Sequence, residues 1–109
     1  MSLHLNVNYI LEQIKDKIIL IFFYIQNRRK CIALLSYLNM LEKNNNEIIV
    51  IKLEYEKNKS LFEKYNITQV PTILLKKGET SRIISSSYLS SLSNFRNIEE
   101  QINLFRLEN

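Results

Sequence analysis

Ile18 to Ile25 (Ile-Ile-Leu-Ile-Phe-Phe-Tyr-Ile) is an unbroken apolar run of eight residues, built from β-branched and aromatic side chains. It is far too short to cross a bilayer, which takes about 20 residues. Its composition suits a strand, and the lack of polar alternation means that neither face of that strand meets water. Such a strand sits inside a sheet with helices on both sides. The following residues supply the first helix: Cys31, Leu34, Leu35, Leu38 and Leu41 recur at helical spacing over about Arg28 to Lys43, and Asn44-Asn45-Asn46 ends the stretch as a turn. Ile48 to Leu53 is then a second buried strand. Strand, helix and strand in this order imply a parallel pair with a right-handed crossover.

The rest of the chain fits around that unit. Val7, Ile10, Leu11 and Ile14 mark a short amphipathic helix over about Val7 to Lys15, with Asn6 able to cap it. Ser60-Leu61-Phe62-Glu63 has capping-box spacing and predicts a helix to Tyr65. Val70-Pro71-Thr72 leads into a third strand, Thr72 to Leu75. Lys76-Lys77-Gly78-Glu79 reads as a tight turn that uses the chain's one glycine where positive φ is needed, and Ser81 to Ile84 returns antiparallel. Seven serines between Ser81 and Ser93 suggest a loop, although Tyr88, Leu92 and Phe95 would share a face if it were helical. A last helix over about Asn97 to Leu107 buries Ile98, Ile102 and Phe105. The order α-β-α-β-α-β-β-α predicts an α/β three-layer sandwich with a central mixed sheet of four main strands flanked by helices. One domain is expected over residues 4–109, with Met1, Ser2 and Leu3 set aside as an expression scar.

Composition removes several classes of function. One cysteine, Cys31, permits no intramolecular disulfide and no multi-cysteine zinc site. The one histidine, His4, stands near the N-terminus and reads as an exposed terminal residue. Glu54 and Glu56 lack a third ligand, so no metal site is expected, and a single glycine cannot build a phosphate-cradling loop. Fifteen basic against eleven acidic residues give a net charge of +4, too small and dispersed to predict nucleic-acid binding. Tyr24, Tyr37, Tyr65, Phe23 and Phe62 read as core rather than as base-stacking residues. No signal peptide or membrane span is apparent, so a cytoplasmic location without membrane association is expected.

Taken together, Ile19-Leu20-Ile21-Phe22-Phe23-Tyr24, Lys64-Tyr65-Asn66-Ile67-Thr68-Gln69-Val70-Pro71-Thr72 and Lys77-Gly78-Glu79 resemble the thioredoxin family. The likeness runs from about Asn8 to Leu107. It implies the thioredoxin fold and a cis bond between Val70 and Pro71, next to the active-site turn. It also exposes departures. Where the family carries Trp-Cys-Gly-Pro-Cys, this chain reads Asn27-Arg28-Arg29-Lys30-Cys31. Arg28 replaces the attacking thiol and Cys31 holds the resolving position. The family's buried acid falls at Phe22, and its glycine after the hairpin falls near Ser86. Dithiol exchange needs one thiolate to attack and a second to release the mixed disulfide, so an ordinary dithiol reductase is excluded.

Two functions remain open. In the first, the chain is a redox-inactive module that binds a protein or extended peptide, with an acidic one favoured by charge, in a groove formed by Tyr24, Asn27, Arg28, Arg29, Lys30, Val70, Pro71, Thr72 and Ser86. In the second, Cys31 is the one catalytic candidate, a monothiol that forms a mixed disulfide or exchanges with glutathione. Arg28-Arg29-Lys30 divides in the same way. Three cations at a helix N-terminus oppose the dipole at about 0.3–1 kcal/mol each, which fits either an anion-binding corner or a solvated basic turn screened by salt. Cys31 is either a thiolate activated by that corner or a small core hydrophobe on the stripe with Leu34 and Leu38. No cofactor is expected in either case.

Overall fold

The apolar run forms strand β1 (Ile18–Tyr24), and it lies inside the sheet as its composition requires. The computed structural model describes residues 14–108; the helix expected over Val7 to Lys15 falls outside them except for its last two residues. In chain order, β1 is followed by α1 (Arg29–Asn44), β2 (Ile48–Glu54), a 3-10 turn (Tyr55–Lys57), α2 (Lys59–Lys64), β3 (Thr72–Lys77), β4 (Thr80–Ile84), α3 (Ser86–Ser91) and α4 (Arg96–Leu107). The sheet order is β2-β1-β3-β4. β1 pairs parallel with β2, from Ile18 opposite Ile48 to Tyr24 opposite Glu54, and antiparallel with β3, with Phe22 opposite Ile73. The β3–β4 hairpin closes through Gly78, whose φ of 60° lies in the left-handed region that glycine enters without steric cost.

The alternation of β1 divides the core in two. Ile18, Leu20 and Phe22 point to the side packed by Cys31, Leu34, Leu38 and Leu41 of α1 and by Ile98, Ile102 and Phe105 of α4. Ile21 and Phe23 point to the other side, where Phe62 of α2 and Leu74 meet them. Phe23 stands edge-on to Phe62, with ring centroids 5.1 Å apart. Each of these side chains stabilises the fold by about 1.5–3 kcal/mol when fully buried. Across the larger core, the Tyr37 hydroxyl donates to Glu99 Oε2 at 2.6 Å, tying α1 to α4. Burial, and then the Glu99 carboxylate, push the Tyr37 phenol well above its ordinary pKa.

Three local expectations need correction. Ile48 to Leu53, expected as a buried strand, lies in β2 at the edge of the sheet, where no further strand among the described residues covers Ile51 and Lys52, and both are exposed. The capping box at Ser60 does not form. α2 begins at Lys59, with Asn58 in the cap position and no side-chain capping bond. Upstream, Glu54 already accepts from the Lys57 amide at 3.0 Å, and Asn58 Nδ2 donates to Glu54 O, so the chain has turned before Ser60 is reached. The serine-rich stretch, expected as a loop, contains α3. Ser85 caps it by accepting from the Tyr88 amide at 3.2 Å, and Leu89 is the side chain it buries. Among the described residues, no helix is long and apolar enough to cross a membrane.

Candidate functional site

The site expected from the sequence lies where β1 runs out. Ile25 leaves the sheet, and Gln26 and Asn27 turn the chain into α1. Asn27 has φ of 69°, a left-handed conformation that asparagine tolerates better than most residues. In that position it does not cap the helix. Arg28 occupies the cap position in extended conformation, makes no side-chain capping bond, and accepts from the Ile32 amide through its carbonyl at 3.1 Å.

The three cations of the turn part ways. Lys30 folds back beneath the helix, donating to Leu92 O at 2.7 Å with its ammonium 5.5 Å from the centre of the Phe95 ring. Arg29 is exposed on the first turn of α1. Arg28 alone reaches the neighbouring loop, where Nη1 donates to Val70 O at 3.0 Å. Both bonded cations therefore direct a donor to a carbonyl oxygen of another segment, and these bonds offset part of the dipole penalty. The structure brings Arg28 to Val70 but does not gather Lys30 with it.

Cys31, three residues beyond Arg28, is completely enclosed, with 0% of its surface exposed, in the cluster that contains Leu34, Leu38 and Phe22. Phe22 is also fully buried and stacks on Tyr24 at 5.3 Å, so a phenyl ring fills the place where the family resemblance puts a carboxylate. Tyr24 is half-buried against the larger core.

On the loop side, the Val70–Pro71 peptide is cis. Pro71 is buried, and Thr72 Oγ1 ties the loop down by donating to Gln69 O at 2.7 Å. Val70 stands between two clefts. The polar one, about 410 Å³, is lined by Ile25, Arg28, Thr68, Gln69, Val70, Ser86 and Ser90. The apolar one, about 390 Å³, is lined by Tyr55, Phe62 and Ile67 together with Ile25 and Val70. Of the residues singled out from sequence, Arg28, Val70 and Ser86 thus meet at one cleft. Tyr24, Asn27, Arg29, Lys30 and Pro71 line neither, and Thr72 contributes to a smaller hollow beside Ser86.

The apolar cleft was not foreseen. Its signal was available: Ile25 and Tyr55 follow directly on β1 and β2, and the carboxyl ends of parallel strands are where open α/β sheets bind ligands. Among the described residues no group of three or more acidic, histidine or cysteine side chains is placed to hold a metal.

A four-stranded mixed sheet between helices, with a cis X-Pro bond next to the N-terminal turn of the first helix after β1, defines a thioredoxin-like sandwich. The Thioredoxin family model matches residues 3–98, and the chain belongs to that family. Thioredoxin 2 of Plasmodium falciparum is 27% identical over 78 residues, which are 71% of this chain and 50% of that protein. The chain therefore spans about half the length of this relative. Fasciola hepatica thioredoxin superposes with a TM-score of 0.72 at 19% identity, over 94% of this chain and 93% of its own. Thioredoxin f from spinach chloroplast gives 0.72 at 21% identity, over 90% of this chain and 84% of its own. At such identities the two superpositions establish the fold alone.

Proposed function

We propose that this thioredoxin-family chain is a redox-inactive module that binds an extended peptide or protein segment in the groove beside Val70–Pro71. The observation that carries the reading is the complete burial of Cys31, the chain's one thiol, together with an arginine at the position of the attacking cysteine. A thiol must meet its partner to exchange, and one enclosed among leucines has no access to a partner. What supports a strand-binding groove is that half-buried Val70 stands on a loop with a cleft on each side of it. A reducing compartment, the cytoplasm, accords with a single unpaired cysteine.

The test is iodoacetamide alkylation of the native protein from about pH 5 to 10. We expect no labelling of Cys31 until the protein is denatured. Fast native labelling, with an apparent pKa well below the free-thiol value of about 8.5, would overturn this reading in favour of monothiol exchange at Cys31.

A further inference from the structure

The strongest unexplained feature of the molecule is the bond between Arg28 and Val70. The two residues are 42 positions apart, and the guanidinium donates at 3.0 Å to a main-chain carbonyl at the centre of the groove. A peptide strand pairing with this loop would need that same carbonyl as an acceptor. In the free protein, Arg28 Nη1 already holds one of the two acceptor positions of that carbonyl and would compete with the peptide's own N–H.

Among the described residues, no carboxylate balances the charge of Arg28. None of the ion pairs there involves this residue, and no carboxylate lines the cleft into which it reaches, whose other polar side chains are Thr68, Gln69, Ser86 and Ser90. On the far side of Val70 the surface changes character. Ile25 and Tyr55, 37% and 38% exposed, border the apolar cleft floored by Phe62 and Ile67. Ile25, Thr68, Gln69 and Val70 line both clefts, so the two form one continuous surface about the loop.

We infer that Arg28 is both the gate and the selectivity residue of this groove, and that the segment it admits is an extended peptide carrying an acidic side chain on one side and a large apolar side chain on the other. The inference rests on the peptide-binding reading above and specifies its partner. A neutral segment that takes Val70 O competes with Arg28 and offers the exposed guanidinium nothing better than water in return. An acidic segment gives Arg28 a carboxylate, for which the planar guanidinium is the better geometric match, while its main-chain N–H takes over Val70 O. Its apolar side chain enters the Ile25–Tyr55–Phe62–Ile67 cleft. The exchange is then close to neutral in hydrogen bonds and gains apolar burial.

A peptide array tests this. Short extended polyalanine-host peptides would carry one Phe and one Glu at varied separations, each matched to a peptide with Gln for Glu. They would be probed with labelled wild-type protein and with Arg28→Met. On wild type, the best Glu peptides should bind about fivefold more tightly than their Gln partners, the range of a good exposed ion pair. On Arg28→Met that preference should vanish, and the Gln peptides should gain because nothing then covers Val70 O. If Glu and Gln peptides bind wild type equally well, the role of Arg28 is refuted while the groove stands. If no peptide binds either protein, the groove itself is refuted, and this inference with it.

Discussion

Arg28 and Cys31 are three residues apart on the same turn, yet they occupy opposite environments. The thiol is sealed among Leu34, Leu38 and Phe22, whereas the guanidinium lies in an open cleft against a loop from the far side of the sheet. One turn of helix carries the chain from core to surface. Chemistry that needs two groups in one accessible place is thereby split: the group with redox potential has no access, and the group with access has no redox chemistry. In this chain an arginine stands where the family resemblance puts the attacking thiol, a buried phenyl ring stands where it puts the acid, and the one cysteine is part of the core.

The sealed side is where the largest effect should appear. Phe22→Asp would return a carboxylate to the position of the family's acid, but the site is now a phenyl ring with no exposed surface, stacked on Tyr24. Losing that ring and burying a polar group without a partner should destabilise the protein by about 3–5 kcal/mol, read as a fall in the urea midpoint. A loss below about 1 kcal/mol would mean that water reaches this end of the core and that Cys31 is less protected than its burial indicates.

Cys31 itself gives a sharper and smaller test. As a small hydrophobe it should tolerate Cys31→Ala better than Cys31→Ser, because the hydroxyl of serine would be buried without a hydrogen-bond partner at about 1–3 kcal/mol. The comparison is made by equilibrium denaturation of the two variants. A thiol exposed for chemistry would leave the two variants within about 0.5 kcal/mol of each other, the helix-propensity difference alone, since a solvated hydroxyl costs nothing.

The sealed side is also the part that the sequence describes best. The run Ile18 to Ile25 and the stripe Cys31, Leu34, Leu38, Leu41 predict the buried strand and its helix to within a residue or two, because burial leaves its periodicity in consecutive residues. The open side was legible only in part. Arg28, Val70 and Ser86 were candidates from the family resemblance, but the bond between Arg28 and Val70 joins residues 42 apart and leaves no local pattern. Adjacency in sequence was misleading there: Arg28, Arg29 and Lys30 read as one basic corner, whereas φ of 69° at Asn27 and the start of the helix at Arg29 send the three side chains in different directions. At α2 the cap position likewise falls at Asn58 and not at Ser60, because the chain has already turned there.

Those neighbouring cations supply the finest comparison. Lys30→Met keeps the apolar stem but loses the 2.7 Å bond to Leu92 O and the contact with the Phe95 ring. These are worth about 1–2 kcal/mol together in a half-buried setting. Removing a cation from the helix N-terminus returns about 0.3–1 kcal/mol, so the net loss should be about 1 kcal/mol. Arg28→Met loses a solvent-exposed hydrogen bond of about 0.5 kcal/mol and regains the same dipole term, which leaves stability unchanged to within about 0.5 kcal/mol. Thermal or urea denaturation of the two variants should therefore separate a lysine that holds α1 to the segment before α4 from an arginine whose loss the fold does not register. If Arg28→Met proves the more damaging of the two, its bond to Val70 O is a structural tie of the loop and not a contact that a partner displaces. A neutral result leaves that carbonyl guarded at no gain in stability, as a gate requires.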